Sequence, residues 1–319
     1  MNKVVYVTGC LGFIGAYVTE ACLEQGWYVA GVDKVTYAAQ PHKLIDFNRY
    51  NDHFKFIKSD INDLKTLYDC DYVINTAAET HVDNSIVSSD EFLHSNINGV
   101  QHLLELIRQK DRFRMPTLLH FSTDEVYGDI KEGSHTETDL LRPSNPYSAT
   151  KAAADMLITA WARTFKVPYV IVRPTNNYGI GQYVEKLIPK TCKLILLGKK
   201  IPLHNGGTPK RVWLHAKDTA SAVVAIVNNG VQNEIFNIGG DTELPNIEIV
   251  RKIYGLMTTK AAADDNVEFV CDFSYHRDGQ DLRYSLDDSK LRKLGWNNKC
   301  VLDKELSSVV EYYAKHFIW

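Results

Sequence analysis

The chain is poor in the features that mark membrane proteins, nucleic-acid-binding proteins and metalloproteins. No apolar run reaches the roughly 18 residues that cross a bilayer. At a net charge of −3, no block of like charge suggests nucleic acid or a membrane surface as a partner. The six cysteines are scattered, without a CxxC pair or a histidine cluster at metal spacing. We therefore expect reduced thiols, no metal and a cytoplasmic location.

The sequence also lacks internal repeats, and its first half alternates short apolar runs with helical patterns. Strands are predicted at Val4 to Thr8, Tyr28 to Val32, Phe54 to Lys58, Tyr72 to Thr76, Thr117 to Ser122 and Tyr169 to Val172. Helices are predicted at Ile14 to Gln25, Asp90 to Gln109 and from Pro146 onward. Such alternation predicts an α/β fold with a Rossmann-type, doubly wound and mostly parallel sheet.

The composition changes after Pro174, where asparagine and glycine pairs interrupt shorter elements. We expect residues 1–174 to form the Rossmann domain and residues 175–319 to form mostly a smaller C-terminal α/β substrate domain. Strands between about residues 205 and 240, such as Glu234 to Ile238, can return to the first sheet. Further helices are predicted at Val184 to Leu197, Lys217 to Asn228, Asn246 to Met257 and Asp303 to His316.

A glycine-rich turn separates the first strand from the first helix. Gly9, Gly12 and Gly15 follow the pattern GxxGxxG, and Asp33 ends the second strand. These glycines permit a tight turn and close approach of the backbone to a pyrophosphate at the helix N-terminus. Asp33 can accept hydrogen bonds from both adenosine ribose hydroxyls, and its charge repels a 2′-phosphate. The pattern therefore favours NAD over NADP, although Lys34 can soften that repulsion.

Two features of this region have ordinary alternatives. The glycine triplet by itself also fits a plain strand-to-helix turn. Asp60 and Ile61, just after the third strand, are placed to meet an adenine, but Asp60 also fits an ordinary loop carboxylate.

Tyr147 and Lys151 are spaced one turn apart on a predicted helix. The ammonium can hold the charge of the phenol, which can then act as a base near neutral pH. Oxidation of a sugar hydroxyl needs only this tyrosine, a hydroxyl such as that of Thr123 and a nicotinamide. Asp124 and Glu125 are two extra carboxylates, and they indicate a second reaction, of which loss of water is the natural one.

Asp124 and Glu125 can act on one sugar only if the backbone has a particular geometry. Neighbouring residues on a strand point to opposite faces, so both can reach one sugar only if the chain leaves the sheet at Thr123. A carboxylate neighbour and a closed site disfavour the charged form of Asp124, so we expect its pKa to be raised. The alternative is a solvated loop pair without a catalytic role.

The glycine pattern together with Tyr147-x-x-x-Lys151 resembles the extended short-chain dehydrogenase/reductase family over essentially the whole chain. Within that family, five segments resemble the nucleoside-diphosphoglucose 4,6-dehydratases, namely residues 32–37, 77–83, 123–128, 176–179 and 185–189. The Asp124-Glu125 pair is the most discriminating feature, because related 4-epimerases and decarboxylases usually carry other residues there.

The resemblance implies a three-step reaction. Tyr147 removes the proton of the sugar C4 hydroxyl while hydride passes to NAD, with Thr123 and Lys151 assisting. Glu125 then takes the C5 proton while Asp124 protonates the departing C6 hydroxyl. Hydride returns to C6, which gives a 4-keto-6-deoxy sugar and regenerates NAD.

The resemblance also implies binding residues. For NAD they are Gly9, Gly12, Phe13, Ile14, Gly15, Asp33, Lys34, Thr36, Asp60, Ile61, Ala77, Ala78, Tyr147 and Lys151. For a nucleotide-sugar substrate they are Thr80, Asn177, Lys186, Arg211, Asn246 and Arg277. The two arginines suit a diphosphate, since guanidinium pairs with phosphate oxygens through two hydrogen bonds. Asn96 resembles an asparagine that orders the active site, and its alternative is a polar position in a buried helix.

Several questions stay open at this point. Asn84, Val212 and Asp278 replace residues expected near the nucleotide, so the base can be thymine or uracil. A nucleotide-sugar 4-epimerase or decarboxylase and a non-catalytic NAD sensor are the rival functions. The resemblance further implies a homodimer through the helix Asp90 to Gln109 and the helix starting at Tyr147. Leu103, Leu104, Leu157 and Trp161 are candidates for that contact, although the sheet also needs such residues.

Overall fold

A computed structural model describes residues 2–258 and 267–316 of the chain. Within these ranges the strands are β1 Val4–Thr8, β2 Tyr28–Asp33, β3 Phe54–Lys58, β4 Tyr72–Asn75, β5 Thr117–Phe121, β6 Tyr169–Pro174, β7 Asn176–Tyr178, β8 Ile201–Pro202, β9 Lys210–His215, β10 Glu234–Ile238, β11 Thr242–Pro245 and β12 Cys271–Asp272.

The α-helices of the same ranges are α1 Phe13–Glu24, α2 Lys43–Phe47, α3 Val82–Val87, α4 Asp90–Phe92, α5 Gly99–Arg108, α6 Pro146–Phe165, α7 Leu187–Leu196, α8 Ala216–Asn228, α9 Asn246–Met257, α10 Val267–Val270, α11 Ser289–Arg292 and α12 Leu302–Lys315. In the described part of the chain, no helix combines the length and the apolar character that crossing a membrane requires.

Seven strands form one parallel sheet in the order β10-β6-β5-β4-β1-β2-β3. Helices α1 and α8 cover one face, and α5 and α6 cover the other. This is the predicted doubly wound α/β fold, which the structure confirms. The strand order reverses between β1 and β4, and ligands of such sheets bind at the carboxyl ends of strands beside the reversal.

The later part of the chain is divided between two bodies. Strand β10 pairs with β6 in the large sheet, whereas β11, β9 and β7 form a separate three-stranded sheet. Helices α7, α9 and α12 pack around their own apolar core, which includes Ile188, Ile253 and Leu306. The clefts described below lie where this second body meets the strand ends of the large sheet.

Helix α6 has strong local start signals. Pro146 occupies its first turn, and Asn145 forms a capping box in which its side chain accepts a hydrogen bond from the Ser148 backbone at 2.9 Å. Such a cap stabilises a helix by about 1 kcal/mol. It also fixes the point at which Tyr147 enters the helix, close to the strand ends.

Two predicted helices differ from the structure. The helix predicted at Asp90 to Gln109 contains a π-helical segment, Leu93–Asn98, between α4 and α5. The helix predicted from Val184 begins only at Leu187, because Lys186 has an extended backbone with φ −79° and ψ 154°.

Two of the side chains expected at a subunit contact are used by the sheet instead. Leu103 and Leu104 are fully buried against the sheet, so they are not available to a second subunit.

Candidate active site

Two adjoining clefts open at the carboxyl ends of the large sheet. The glycine-turn cleft, of about 320 Å³, runs from Gly9–Gly15 past Asp33 to Tyr147. The arginine cleft, of about 200 Å³, lies beside it and contains Arg211 and Arg277. The clefts share a wall made of Thr80, Glu125, Asn176, Asn177, Gln182, Glu185 and Lys186. A long ligand can therefore reach from one cleft into the other.

The glycine turn is shaped by close backbone contacts. Gly9 has φ +72°, and a Cβ there would lie 2.7 Å from the nitrogen of Ala77. A Cβ on Gly15 would lie 2.0 Å from the carbonyl oxygen of Gly9. Helix α1 starts directly after Gly12, which makes no side-chain cap. The N–H groups of its first turn lack intrahelical acceptors and suit an anion such as a pyrophosphate.

Asp33 is held rigidly at the end of β2. Its Oδ2 accepts a hydrogen bond from the Leu11 nitrogen at 3.0 Å, and its Oδ1 accepts one from the Val35 nitrogen at 2.7 Å. Burial raises the pKa of Asp33, while these hydrogen bonds and the charge of Lys34 oppose the shift. The ammonium of Lys34 lies 3.4 Å from Asp60, on the far side of the predicted adenosine position. The donor set of this cleft fits NAD.

The segment that carries Asp124 and Glu125 leaves the sheet directly after β5, as the geometry for two carboxylates in one cleft demands. Strand β5 ends at Phe121, and Thr123 caps a short 3₁₀ helix, Asp124–Tyr127. The Thr123 hydroxyl accepts a hydrogen bond from the Glu125 nitrogen at 3.3 Å and donates one to Asp124 Oδ1 at 3.2 Å. Asp124 and Glu125 consequently both line the glycine-turn cleft, and Glu125 also lines the arginine cleft.

The two carboxyl groups have different environments. Asp124 is 3% exposed, and its Oδ2 is buried without a hydrogen-bond partner among the described residues. Burial, followed by the charge of Glu125, raises the pKa of Asp124 to about 7. Burial also raises the pKa of Glu125, but the charge of Arg211 and a hydrogen bond from Asn145 at 3.3 Å oppose that shift. Asp124 is thus suited to hold a proton near neutral pH.

The pKa values of Tyr147 and Lys151 are set mainly by burial. Burial and the charges of Glu125 and Asp124 raise the pKa of Tyr147, and the Thr123 hydroxyl is the group that lowers it. Burial and the two carboxylates dominate the pKa of Tyr147 in this structure, and the lowering expected from Lys151 stays a prediction. Tyr147 lines the glycine-turn cleft, whereas Lys151 lies behind its wall, with burial lowering its pKa to about 8.

The arginine cleft presents two guanidinium groups with fixed orientations. Arg211 is buried, stacks 4.4 Å from the ring centre of Tyr284 and donates a hydrogen bond to the Asp281 carbonyl oxygen at 2.9 Å. Arg277 is held by Asp83 through two hydrogen bonds of 2.6 and 3.0 Å. A cleft with two arginines at its rim fits a diphosphate.

The structure brings the predicted binding residues together in two groups. Every residue predicted to bind NAD, other than Lys151, lines the glycine-turn cleft. Every residue predicted to bind the nucleotide sugar lines the arginine cleft. These placements locate the side chains, and the roles assigned to them stay predictions.

Asn96 connects the cleft wall with helix α6. Its side chain accepts a hydrogen bond from the Glu79 nitrogen at 2.9 Å and donates one to the Glu79 carbonyl oxygen at 3.0 Å. It donates another to the Thr150 hydroxyl at 3.0 Å, and Thr150 in turn donates to the Tyr147 carbonyl oxygen at 2.8 Å. The amide of Asn96 thus holds the Tyr147 segment against the loop that follows β4.

Sequence reasoning missed three residues of the site. Asn145 contacts Glu125, Ser85 accepts a hydrogen bond from the Tyr147 nitrogen at 3.2 Å, and Asp83 orients Arg277. The Asn-Pro-Tyr-Ser start of α6 carried a signal for Asn145 as a helix cap. Ser85 and Asp83 make contacts between distant segments, for which the local sequence has no signal.

Comparisons with known proteins agree with this geometry. The sequence profile of the family described as GDP-mannose 4,6 dehydratase matches residues 6–308. The dTDP-glucose 4,6-dehydratase of Streptomyces niveus is 37% identical, with 99% of this chain and 94% of that protein covered. The trifunctional UDP-glucose 4,6-dehydratase/UDP-4-keto-6-deoxy-D-glucose 3,5-epimerase/UDP-4-keto-L-rhamnose-reductase of Arabidopsis thaliana is 35% identical, with 99% of this chain and 48% of that protein covered.

A solved structure is similar over the same extent. The crystal structure of DesIV, a dTDP-glucose 4,6-dehydratase from Streptomyces venezuelae with NAD and TYD bound, superposes with a TM-score of 0.89 at 34% identity. The superposition covers 98% of this chain and 97% of the DesIV chain.

Proposed function

The chain belongs to the GDP-mannose 4,6 dehydratase family, and from this premise we propose that it is an NAD-dependent hydro-lyase acting on a nucleoside-diphosphate glucose, dTDP-glucose or UDP-glucose. The product is the 4-keto-6-deoxy sugar. The resemblance of the sequence to the extended short-chain dehydrogenases/reductases, and to their 4,6-dehydratases, is confirmed by these relatives.

One observation carries the proposal beyond a general dehydrogenase. Asp124 and Glu125 leave the sheet together and line the same cleft as Tyr147, with an unpartnered oxygen on Asp124. A dehydrogenase has no use for an acid with a pKa of about 7 beside a second carboxylate. Elimination of water needs such an acid and a separate base.

The glycine-turn cleft supports NAD as the cofactor. The N–H groups of the first turn of α1 would hold the pyrophosphate, and Asp33 would accept hydrogen bonds from the adenosine ribose. When bound, NAD takes up hydride from C4 of the sugar and gives it back at C6. Asp33 and the Lys34–Asp60 ion pair favour NAD over NADP, since together they offer a 2′-phosphate no free cation at this position.

In the first step, this chain moves one proton. Tyr147 removes the proton from the C4 hydroxyl, and Thr123 donates a hydrogen bond to the same sugar oxygen. Lys151 stabilises the charge that passes through the phenol while the C4 oxygen becomes a ketone. Burial and the charges of Glu125 and Asp124 raise the pKa of Tyr147, so the phenol needs a nearby positive charge, which Lys151 would supply, to lose its proton and act as the base.

In the second step, the ketone acidifies the C5 proton. Glu125 removes that proton as the base, and Asp124 gives its proton to the departing C6 hydroxyl, which leaves as water. Both carboxyl groups border the cleft that holds the sugar, so the two transfers can occur on one bound molecule. Glu125 then returns its proton to C5, and the cycle on the protein side closes when Tyr147 gives up the proton that it took from the C4 hydroxyl and Asp124 regains one.

Incubation with dTDP-glucose, UDP-glucose and GDP-mannose, followed by mass analysis, tests this function. Loss of one water from a glucose nucleotide supports the proposal and identifies the base. An isomer of unchanged mass would instead indicate a 4-epimerase, and loss of carbon dioxide from a glucuronate analogue would indicate a decarboxylase. Unchanged sugars with NAD bound would indicate a sensor.

We also infer a cytoplasmic homodimer. All six cysteines are free thiols, as expected in a reducing compartment. Met156 on α6 is 62% exposed, and Leu93 at the start of the π-helical segment is 44% exposed. These two side chains lie on the helices expected to form the subunit contact. They are accessible to a second subunit, whereas Leu103 and Leu104 are buried.

A further inference from the structure

A buried chain of polar side chains runs from Lys151 away from both clefts. The Lys151 ammonium lies 3.4 Å from Nε2 of His120, and Nδ1 of His120 lies 3.0 Å from the side-chain amide of Asn75. The other end of that amide lies 2.6 Å from the hydroxyl of Thr8. All four side chains are buried, so bulk water does not complete their hydrogen bonds. These four side chains therefore have to supply each other's hydrogen-bond donors and acceptors.

The charge of Lys151 decides which nitrogen of His120 carries the ring hydrogen. An ammonium group has three donors and no acceptor, so a charged Lys151 requires Nε2 of His120 to be a bare acceptor. The imidazole is uncharged, because burial and the neighbouring ammonium hold its pKa well below the usual value. Its single hydrogen must then be on Nδ1, pointing at Asn75.

The amide of Asn75 can take two orientations. In the structure its nitrogen faces Nδ1, which suits hydrogen on Nε2 and a neutral Lys151 amine. A half-turn of the amide exchanges its oxygen and nitrogen within the same space. The oxygen then accepts from Nδ1–H of His120, and the nitrogen donates to the Thr8 hydroxyl. This second arrangement is the one that suits a charged Lys151.

We propose that His120 is a positioning residue for Lys151, which holds hydrogen on Nδ1 and presents Nε2 as an acceptor to the ammonium. The proposal rests on the proposed function, in which Lys151 must stay charged to stabilise the phenol. Asn75, on β4, and Thr8, on β1, complete this arrangement when the Asn75 amide takes the second orientation. His120 itself lines neither cleft and touches neither ligand.

The surroundings of Lys151 make an acceptor necessary. Burial lowers its pKa to about 8, and the charge of Asp155 on the same helix opposes the shift. Asp155 is shared, because it also pairs with Arg173 of β6 at 3.0 Å. The charged or titratable groups facing Lys151 are thus His120 from β5, Asp155 from α6, and Arg173 of β6 through Asp155. Loss of the His120 acceptor leaves the ammonium with weaker compensation.

The kinetic test compares His120→Leu, which has no acceptor, with His120→Gln, which keeps an accepting oxygen. Single-turnover formation of NADH from the nucleotide sugar is followed against pH. We expect the alkaline limb of the profile to move down by about one unit or more in His120→Leu, because a lost hydrogen bond favours the neutral amine. His120→Gln should recover most of this shift. A limb that stays in place, or moves up as the opposite tautomer requires, overturns the proposal.

The second test needs no activity. With ring nitrogens of histidine labelled by ¹⁵N, the signal of His120 is assigned among the 11 histidines by its loss in His120→Gln. A neutral ring with hydrogen on Nδ1 at neutral pH supports the proposal, and hydrogen on Nε2 overturns it. If neither dTDP-glucose nor UDP-glucose is dehydrated, the proposed function fails while this spectrum still decides the tautomer.

Discussion

Arg277 and Asp83 form an ion pair with two hydrogen bonds, Nε to Oδ1 at 2.6 Å and Nη2 to Oδ2 at 3.0 Å. Burial alone raises the pKa of Asp83, but the hydrogen bonds and charge of Arg277 outweigh it and hold the pKa below the usual value. The pair therefore stays ionised at neutral pH. It turns one guanidinium toward the arginine cleft and joins helix α3 to the C-terminal segment.

Arg277→Ala is expected to raise KM for the nucleotide sugar roughly ten- to a hundred-fold while kcat changes much less. One charge-assisted interaction with a diphosphate has that size. Arg277→Lys keeps the charge but cannot make both hydrogen bonds to Asp83, so it should recover only part of the affinity. Steady-state kinetics give both constants. An unchanged KM with kcat abolished would show that Arg277 does not hold the substrate.

The carboxylates are expected to act after the first hydride transfer. Glu125→Gln and Asp124→Asn should each block dehydration and leave C4 oxidation intact, so that NADH accumulates on the enzyme. Tyr147→Phe should suppress NADH formation itself, because it removes the initiating base. Absorbance of NADH and mass analysis of the sugar separate the two stages. Full dehydration by Glu125→Gln would require a different base.

The dimer prediction depends on side chains that the sheet does not use. Met156→Glu places a charge on the exposed apolar surface of α6, and we expect it to convert a dimer into monomers. Glu91→Gln, at an exposed position on α4, serves as a control for altered charge on the same side of the sheet. Light scattering at micromolar concentration measures the mass. A monomeric wild-type protein would contradict the prediction at once.

Most of the fold was predictable because its signals are local. Apolar runs of strand length, closed by glycine or aspartate, located the first six strands to within two residues. The turn at Gly9 and Gly15 was predictable for the same reason, since only glycine fits its close backbone contacts. The Asp124-Glu125 pair was found from chemistry rather than periodicity, as two carboxylates beside a base.

The parts that the sequence did not reveal depend on distant residues. Asp83 and Arg277 are 194 positions apart, so no local pattern links them. The π-helical segment Leu93–Asn98 has the periodicity of an ordinary helix in the sequence. The contacts of Asn96 with Glu79 and Thr150 arise only once the sheet is assembled. The raised pKa of Tyr147 likewise comes from burial and from carboxylates on another element.

Asn96→Ala is expected to lower the free energy of unfolding by roughly 2 to 3 kcal/mol. The substitution leaves partly buried backbone groups of Glu79 and the buried Thr150 hydroxyl without this partner. Because Thr150 supports the Tyr147 carbonyl, kcat for C4 oxidation should fall while affinity for the free nucleotide is kept. Urea unfolding and single-turnover kinetics test the two effects. A destabilised variant with normal kcat would limit Asn96 to a packing role, and unchanged stability with normal kcat would contradict the prediction.

The raised pKa of Asp124 predicts that Asp124→Asn increases the free energy of unfolding, although the same substitution is expected to block dehydration. Its folded-state pKa of about 7 lies above its ordinary value of 3.8. The stability that Asp124 contributes is therefore fully present below about pH 4 and is lost as the pH rises through about 7. Asp124→Asn removes this loss, so the variant should be more stable than the wild type by about 3 to 4 kcal/mol at about pH 8. At about pH 4 the difference should fall below about 1 kcal/mol, because the folded-state carboxyl is then neutral and the unfolded-state carboxyl is only partly ionised. Urea unfolding at the two pH values measures it. A difference that is the same at both pH values would show that Asp124 is not a buried acid with a raised pKa, and would remove it as the proton donor to the C6 hydroxyl.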